Sequence, residues 1–435
     1  MKHMYQKFRK SLQPIANLIR TLVVLKYRSR IPLLERKLKE KQQIKVVFFV
    51  MSLSMWKGDR LFHLMRESKR FQPFAVFAPR IDMPIGEKEK ERARLKQHFL
   101  SFGVEMIDEY DCTTDTGIDI RKRIDPDIVF YTLPYSSVTH RSYTVCRSYW
   151  HNRFPDALIC FFPYSFPITA DKQGYTSLLI DLAWKLFYPT NFHKELAERL
   201  AMTKGKNMVI TGYPPADIFL DKERTATDNW KAPSSAFKRI IYAPHHTVDA
   251  DRLQFSTFLV YAEFMQRIAE KYRNRIQIAF KPHPLLRSKL YRHPDWGVEK
   301  TNAYYDAWAK MPNGILAEGG YVDLFLTSDA MIHDSGSFMV EYLYTKKPVM
   351  YLTHPGHLNK VSELGRLAID MHYKGGNEQD VEAFIENVVL GNDDAMRASR
   401  ERFFNDWLLP PHNKTVAQNM FDEIEKYTHK LCPLK

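Results

Sequence analysis

Residues 328–352, SDAMIHDSGSFMVEYLYTKKPVMYL, decide the fold that we predict for this chain. The apolar run at 330–333 has the length of a buried strand, and 349–352 has the pattern of the next one. Between them, apolar residues at helical spacing predict a helix that Pro348 ends. Strand, turn, helix and strand in this order form the repeating unit of a parallel α/β sheet.

The turn that follows the first of these strands, Asp334 to Ser337, is a candidate anion site. Backbone N–H groups at a helix N-terminus have no partner within the helix, and the helix dipole is positive there. Ser335 and Ser337 can add hydroxyl donors. A phosphate therefore fits this turn, although a simple helix cap formed by Asp334 or Ser335 has the same residue pattern.

The rest of the chain alternates strand-like and helix-like segments in two series, which predicts two Rossmann-like, doubly wound parallel-sheet domains. Within the first series we expect a strand at 104–107 and helices around 139–149 and 175–185. The polar stretch between the two series has no sustained periodicity and reads as a linker. The predicted organisation is a basic helical extension (1–43), a first domain (44–220), a linker (221–238), a second domain (239–392) and a helical tail (393–435).

Composition restricts the class of partner. The 435 residues carry a net charge of +14, which indicates an acidic partner such as nucleic acid, anionic lipid or a phosphate-rich substrate. The four cysteines show no C-x-x-C spacing, so neither a disulfide framework nor a zinc site is expected. No apolar run reaches the roughly 20 residues that span a bilayer, and no signal-peptide pattern is present.

The N-terminal zone, residues 1–43, concentrates the positive charge: twelve Lys and Arg residues stand against Glu35 and Glu40. Apolar residues recur there at helical spacing, namely Phe8, Leu12, Ile15, Leu18, Ile19, Leu22 and Val23. A basic amphipathic helix of this kind binds the interface of an anionic membrane. The alternative is a helix packed on the protein itself or on a second copy in a homo-oligomer.

Three polar groups follow predicted strands of the second domain: His245-His246-Thr247, Lys281-Pro282-His283-Pro284 and the turn at 334–337. Ligands of open parallel sheets bind beyond the carboxyl ends of the strands, so we expect the three strands to be neighbours around one site. Imidazoles, an ammonium group and hydroxyls suit a diphosphate better than a metal, since carboxylates are scarce and adjacent histidines do not easily face one ion. Taken singly, each histidine has a structural role as often as a functional one, and Lys281 alone reads as a solvated charge.

Glu341 follows the turn at 334–337 and is either a surface residue or an acceptor for a ribose hydroxyl. The residues predicted to bind the nucleotide and its phosphates are Lys281, His283, Pro284, Thr247, Asp334, Ser335, Gly336, Ser337 and Glu341.

The motifs in this order resemble the CDP-glycerol glycerophosphotransferase family, the teichoic-acid primases and polymerases, over about residues 185–390. The similar segments are ITGYPPAD at 210–217 (family T-G-x-P-R-x-D), IYAP at 241–244 (Y-A-P), FKPHP at 280–284 (H-P), SDAMIHDSGS at 328–337 (S-D-x-x-I-T-D-Y-S-S) and the K-P pair Lys347-Pro348. The resemblance implies a GT-B fold whose C-terminal domain holds the nucleotide. It also implies that His283, Asp334 and Ser337 engage the CDP moiety.

The activity implied is transfer of glycerol phosphate, or a related polyol phosphate, from a CDP-linked donor to a lipid- or glycan-linked acceptor. Such a reaction serves the synthesis of a teichoic-acid-like polymer or a capsule. The implied enzyme needs no metal or other cofactor and attaches peripherally to the cytoplasmic face of the membrane.

Four departures from the family pattern bear on the chemistry. Pro215 replaces an arginine, residues 245–247 replace T-W-R, and Gly336 replaces the first serine of the S-S pair. In place of the family's W-H-G-T-P-x-K element, whose histidine is thought to act as base, this chain has FPYSFPIT at 162–169. Either another group deprotonates the acceptor, or the donor or acceptor differs from glycerol phosphate.

We therefore expect the catalytic groups to be histidines of the second domain. A protonated His283, with Lys281 and Ser337, would stabilise the leaving nucleoside phosphate, each donor being worth about 2–4 kcal/mol of barrier. His245 or His246 is the candidate base. Residues expected on the acceptor side are Trp56, Lys57, Gly58, Tyr164 and Ser165.

Two alternatives remain at this point. A GT-B glycosyltransferase that uses a nucleotide sugar would have the same fold. A non-enzymatic nucleic-acid-binding protein would explain the charge, but the charge is concentrated in residues 1–43, and no basic motif with interleaved stacking aromatics is present.

Overall fold

The computed structural model describes residues 13–133, 145–169, 172–233, 235–248 and 254–429. The chain divides into two compact units. The first comprises Met1–Ser165, Lys172–Pro214 and Pro410–Lys435, and the second comprises Phe166–Asp171 and Pro215–Leu409. The helix predicted around 139–149 and the first twelve residues of the predicted extension lie largely or wholly outside the described residues.

The first unit is built on a six-stranded parallel sheet. Its strands are β1 (Ile44–Val50), β2 (Phe71–Phe77), β3 (Ile128–Tyr131), β4 (Leu158–Phe161), β5 (Lys185–Tyr188) and β6 (Met208–Ile210). They lie in the order β2-β1-β3-β4-β5-β6, and every pairing is parallel. The apolar residues of β1 are buried, as expected for a strand whose two faces are both covered by helices.

The helices of the first unit are Gln13–Arg28, Ile31–Glu40, Asp59–Glu67, Ile85–Leu100, Ile120–Arg123, Gln173–Thr176, Leu178–Leu182, Asn191–Leu200 and Val416–Glu425, with 3-10 turns at Leu53–Met55, Arg147–Tyr149, His151–Arg153 and Pro411–Asn413. Two local predictions were wrong. The strand at 104–107 is reduced to one bridge between Val76 and Ile107. The single helix at 175–185 is two short helices, because Ser177 caps a new helix by accepting from the Ile180 N–H.

The helix Gln13–Arg28 is held to the first unit by polar contacts. Tyr27 donates its hydroxyl to the Ala157 carbonyl at 2.6 Å and accepts from the Ile159 N–H at 3.2 Å. Arg20 pairs with the buried carboxylate of Asp181. The opposite face of the helix is apolar and exposed, and consists of Ile15, Leu18, Ile19, Leu22 and Leu25. We call these five residues the exposed apolar face.

The second unit contains another six-stranded parallel sheet. Its strands are β7 (Lys238–Ala243), β8 (Ile276–Phe280), β9 (Gly314–Leu316), β10 (Ala330–His333), β11 (Val349–Leu352) and β12 (Tyr373–Gly375). The order is β12-β11-β10-β7-β8-β9, again with parallel pairing throughout. The two parallel sheets with flanking helices confirm the predicted fold class.

The helices of the second unit are Ala216–Phe219, Phe258–Lys271, Leu286–Leu290, Gly297–Lys310, Val322–Thr327, Phe338–Glu341, Glu363–Ile369, Glu378–Ala383 and Arg397–Phe403, with 3-10 turns at Tyr342–Thr345 and His357–Lys360 and π-helical turns at Phe384–Leu390 and Phe404–Leu408. The helix Phe258–Lys271 buries Phe258, Met265 and Ile268 in the core of this unit. The predicted linker lies within the second unit, where Trp230 is buried and Arg239 pairs with Asp228. The second half of the predicted tail lies in the first unit.

The segment 328–352 contains the two predicted strands, but its helix is shorter than predicted. Phe338–Glu341 is one α-helical turn, followed by a 3-10 turn that ends at Lys346 in the left-handed conformation (φ 60°). The Lys347 ammonium donates to the carbonyls of Phe325, Leu326 and Ser328. So short a helix has a small dipole, which weakens the argument for phosphate binding from the macrodipole.

Candidate functional site

Three polar loops lie side by side at the carboxyl edge of the second sheet. β7 pairs with β10 on one side and with β8 on the other. The groups that follow these strands begin at Pro244, Lys281 and Asp334, and are therefore neighbours. The structure thus confirms the predicted adjacency of the three strands, which is the condition for a common site.

The imidazoles of His245, His246 and His283 form a cluster at this edge. The ring centroids are 4.3 Å apart for His245 and His246, 4.2 Å for His246 and His283, and 5.1 Å for His245 and His283. One ring nitrogen of each residue lies within 4.8 Å of those of the other two. The sequence indicated that adjacent histidines do not easily face one ion, but a ring nitrogen of His245 and one of His246 lie this close together. The His283 N–H donates to the Pro244 carbonyl and brings the two loops together.

Two lysines lie in the segment that carries His283 and in the helix that follows it. Lys281 is buried beside the β7 chain, since its backbone N–H donates to the Tyr242 carbonyl. Lys289, from the helix Leu286–Leu290, is close enough to contribute to lowering the pKa of His245. Burial lowers that pKa well below its ordinary value, with further contributions from His283, His246 and Lys289. The imidazole N–H groups and the nearby Lys289 ammonium supply the donors and the positive charge that an anion site requires.

Two predicted members of the site lie on either side of the cluster. Thr247 is buried and its hydroxyl hydrogen-bonds His245 Nδ1 at 3.0 Å. Pro284 is exposed directly after His283. The sequence did not point to Lys289, because this residue belongs to no motif and comes close to the cluster only in the folded chain.

Asp334 orders the loop that carries the histidines. Its buried carboxylate accepts hydrogen bonds from the backbone N–H groups of His245 and Thr257 and from the Thr257 hydroxyl. Burial raises the pKa of this carboxyl to about 6, against the opposing effect of these donors. The contacts of Asp334 thus explain how the loop is positioned, with no need for the carboxylate to touch a phosphate.

The serines of the D-S-G-S turn differ in their surroundings. Ser335 donates its hydroxyl to the Ala243 carbonyl at 2.9 Å and its backbone N–H to His333 Nδ1 at 3.1 Å. A Cβ at Gly336 would lie 3.6 Å from the Phe255 ring. Ser337 is partly exposed and begins the helix Phe338–Glu341. Ser337 therefore offers the more accessible hydroxyl of the two, and Ser335 links the ends of β7 and β10.

Glu341, the candidate ribose acceptor, is buried and accepts a hydrogen bond from the Tyr321 hydroxyl. The Tyr321 ring also contacts Phe338, with centroids 5.0 Å apart. Tyr321 follows a Gly-Gly pair and has no helical or strand periodicity that would have marked it in the sequence. A ribose hydroxyl bound by Glu341 would lie beside this tyrosine.

The residues predicted on the acceptor side lie in the first unit. Trp56 is buried, donates its indole N–H to Asp59 at 2.5 Å and meets Phe48 edge-on. Gly58 makes room for the indole, since a Cβ there would lie 2.6 Å from the Trp56 ring. Trp56 and Gly58 thus contribute to the core. Lys57, Tyr164 and Ser165 are partly exposed.

The central part of the chain is similar to a known protein family. Residues 172–359 match the family described as CDP-glycerol:poly(glycerophosphate) glycerophosphotransferase. The matched range begins before β5 and ends after β11, so it contains all three polar loops. This match confirms the resemblance inferred from the motifs. No curated protein matches the chain significantly.

Solved structures show the same fold at low sequence identity. A variant of the wall teichoic acid polymerase TagF is 13% identical, with a TM-score of 0.58 and coverage of 97% of both chains. The S. aureus MnaA–UDP complex is 15% identical, with a TM-score of 0.55 and coverage of 89% of this chain and 97% of that one. UDP-GlcNAc 2-epimerase from Neisseria meningitidis bound to UDP-GlcNAc is 14% identical, with a TM-score of 0.54 and coverage of 88% and 99%. The chain therefore has the GT-B fold.

Proposed function

We propose that this protein is a glycerophosphotransferase that moves glycerol phosphate, or a related polyol phosphate, from a CDP-linked donor to a lipid- or glycan-linked acceptor of a teichoic-acid-like or capsular polymer. The observation that carries the proposal is the convergence of His245, His246 and His283 within the segment that matches the family. The wall teichoic acid polymerase TagF shares the fold, and its name describes the same class of product.

The donor site of the proposal is the carboxyl edge of the second sheet. A diphosphate there would meet imidazole N–H groups and the side chains of Lys281, Lys289 and Ser337. Positive charge and N–H donors stabilise the negative charge of a phosphate, and more strongly in a partly buried site than in water. The proposed ribose acceptor is Glu341, whose buried carboxylate accepts a hydrogen bond from the partly exposed Tyr321.

The chemistry of the proposal is displacement at the β-phosphorus. An acceptor hydroxyl attacks this phosphorus, the bond to the bridging oxygen breaks, and CMP leaves with the electron pair. Donors placed at the bridging oxygen and at the non-bridging oxygens stabilise the charge that develops, each by about 2–4 kcal/mol. His246 is the candidate base for the acceptor proton, because the hydrogen bond between Thr247 and His245 Nδ1 makes the His245 ring a donor through Nε2. We propose Lys57, Tyr164 and Ser165 as the acceptor-side residues.

We further propose that the protein attaches peripherally to the cytoplasmic face of the membrane through its N-terminal region. Among the described residues, no helix combines the length and apolarity needed to cross a bilayer. The exposed apolar face instead has the geometry of a helix lying in the membrane interface: Leu18 is 60% and Leu22 57% exposed. Nearby Lys26, Lys37 and Lys39 would add attraction to anionic lipids.

The experiment that tests the proposed activity is product analysis. The purified full-length protein is incubated with CDP-glycerol, CDP-ribitol or UDP-GlcNAc and a membrane-lipid acceptor, and the products are identified by mass spectrometry. Release of CMP with growth of the acceptor by a polyol phosphate supports the proposal. Transfer from UDP-GlcNAc alone would replace it with glycosyl transfer.

A further inference from the structure

The hydroxyl of Thr247 lies at the centre of a buried hydrogen-bond network. Its Oγ1 accepts from the backbone N–H groups of Phe255 at 2.9 Å and Ser256 at 3.1 Å. A hydroxyl oxygen has two lone pairs, so these two donors fill its capacity as an acceptor. The hydroxyl hydrogen is then directed to the remaining partner, His245 Nδ1, at 3.0 Å.

This arrangement determines the tautomer of His245. A nitrogen that accepts a hydrogen bond carries no proton, so a neutral His245 ring carries its proton on Nε2. The ring is neutral near physiological pH because burial and the neighbouring positive groups hold its pKa well below the ordinary value. His245 therefore acts as a hydrogen-bond donor through Nε2.

His283 has the same tautomer for an independent reason. Its Nδ1 accepts from the backbone N–H of Leu285 at 3.1 Å, within the turn that precedes the helix Leu286–Leu290. The neutral ring consequently carries its proton on Nε2, and a protonated ring would have to break this backbone bond. Two neighbouring strand ends thus present two imidazoles whose Nδ1 atoms both act as acceptors.

These tautomers distinguish an anion site from a metal site. Three clustered histidines are a ligand set that Zn²⁺ commonly uses, and the ring nitrogens here are close enough to meet one ion. A histidine that binds a metal through Nε2, however, holds its proton on Nδ1 and donates that proton to a carbonyl or carboxylate. His245 and His283 show the reverse pattern, which suits a ligand that accepts hydrogen bonds.

We propose that His245 and His283 form a two-donor clamp for the diphosphate of the nucleotide donor, and that Thr247 is the positioning residue that gives His245 this role. The proposal rests on the proposed function and deepens it, since it names the groups that replace a metal at the diphosphate. It also explains the departure at 245–247, where an imidazole held by a threonine takes the place of the family's T-W-R.

The first test compares two substitutions at each histidine. Glutamine places an amide N–H near the position of Nε2, whereas alanine removes the donor. We expect His245→Ala and His283→Ala to lower kcat/KM for CDP-glycerol by about 100-fold, in line with loss of one donor to a developing anion. His245→Gln and His283→Gln should recover most of that loss, and EDTA should leave the activity unchanged. Glutamine variants as inactive as the alanine variants, with Zn²⁺ restoring activity to EDTA-treated wild type, would overturn the proposal.

The second test reads the tautomer directly. Long-range ¹H–¹⁵N spectra of protein labelled at histidine distinguish a protonated from an unprotonated Nδ1, and the His245→Gln spectrum identifies the His245 signals. Wild type and Thr247→Ser should both show an unprotonated Nδ1 at His245, and Thr247→Val should lose this preference. If the valine variant fails to fold, the wild-type spectrum decides: a protonated Nδ1 at His245 overturns the proposal.

The third measurement separates this inference from the proposed function. Inorganic pyrophosphate is titrated calorimetrically into wild type and the four histidine variants. Binding that is lost with alanine and kept with glutamine supports the clamp even if CDP-glycerol is not turned over, in which case the proposed function alone fails. Pyrophosphate binding that is equal in all variants overturns the clamp even if CDP-glycerol is a substrate.

Discussion

The imidazole rings of His246 and His283 lie with their centroids 4.2 Å apart, although they follow two different strands of the second sheet. The parallel pairing of β7 with β8 brings the two loops to the same edge, and the hydrogen bond from the His283 N–H to the Pro244 carbonyl fixes their separation. The histidine cluster is thus a consequence of sheet topology together with one backbone contact.

Asp334 should be essential for the order of the histidine loop. Asp334→Asn replaces one of two acceptor oxygens with an amide that faces donors, so we expect a loss of about 1–3 kcal/mol in the free energy of unfolding. Thr257→Val, which removes one hydroxyl donor to the same carboxylate, should cost about 1 kcal/mol. Thr257→Ser keeps that hydroxyl and is the control. Urea unfolding measures all three, and an Asp334→Asn variant as stable as wild type contradicts the anchoring role.

The two serines of the D-S-G-S turn should separate binding from stability. Ser337→Ala removes a partly exposed hydroxyl, so we expect weaker CDP binding, by about tenfold, and an unchanged melting temperature. Ser335→Ala removes the donor to the Ala243 carbonyl, so the protein should lose about 1–2 kcal/mol of stability. Calorimetric titration and thermal unfolding of both variants provide the data. Equal effects of the two changes on stability would place both hydroxyls in structural roles.

The buried histidines should make the free energy of unfolding strongly dependent on pH in the acid range. Burial lowers the pKa of His333 to about 3 and of His151 to about 4, and those of His245 and His372 fall well below the ordinary value. Below pH 6.5 the unfolded chain binds protons that the folded chain does not, so stability falls as the pH falls. Between pH 6.5 and 5.5 the four groups together should cost about 4 kcal/mol. Asp334, whose pKa is raised to about 6, has the opposite sign and offsets a small part.

His333→Asn tests this explanation. The Asn Oδ1 can accept the Ser335 N–H in place of Nδ1, while the titrating ring is removed. The slope of the free energy of unfolding against pH should decrease by about 1 kcal/mol per pH unit below pH 6. His412→Asn is the matched control, since His412 is exposed and its φ of 65° suits asparagine. If the free energy of unfolding has the same dependence on pH in both variants, groups other than His333 cause the acid sensitivity.

If the exposed apolar face binds the membrane, negative charges placed on it should weaken that binding. Replacing both Leu18 and Leu22 with Glu removes apolar area that would enter the membrane interface, and introduces repulsion from anionic lipid. We expect at least tenfold weaker co-sedimentation with vesicles that contain phosphatidylglycerol. Val260→Glu, at a position 73% exposed in the second unit, is the control and should bind as wild type does. Unchanged sedimentation of the Leu18 and Leu22 variant would exclude this face as the membrane contact.

Much of the fold can be predicted from the sequence, because parallel strands that are buried on both faces consist of continuous apolar residues. The apolar run that begins at Val46 and the run at Ala330–His333 both form inner strands of their sheets. The length of the helix after Ser337 could not be predicted, since the left-handed conformation of Lys346 and the capping of carbonyls by Lys347 are tertiary effects. The same holds for the strand expected at 104–107, where only Ile107 pairs.

The part of the site that consists of loops at the ends of strands could be predicted from the sequence. The carboxyl ends of neighbouring parallel strands lie at the same edge of a sheet, so the sequence predicts that His283 and Ser337 lie at one edge. Lys289 and Thr257 were missed, because a lysine within a helix and a threonine before one carry no pattern that points to a distant loop. The burial of Trp56 was missed for a similar reason: an aromatic residue in a loop reads equally well as a ligand contact or as core.

Calorimetric titration of the full-length protein with CDP and with UDP, repeated for His283→Ala, tests whether this sheet edge is the donor site. We expect CDP to bind more tightly than UDP, and His283→Ala to weaken CDP binding by at least tenfold while the melting temperature stays within about 2 °C of wild type. CDP that does not bind, or that binds equally well without the His283 imidazole, would contradict the assignment of this sheet edge as the donor site.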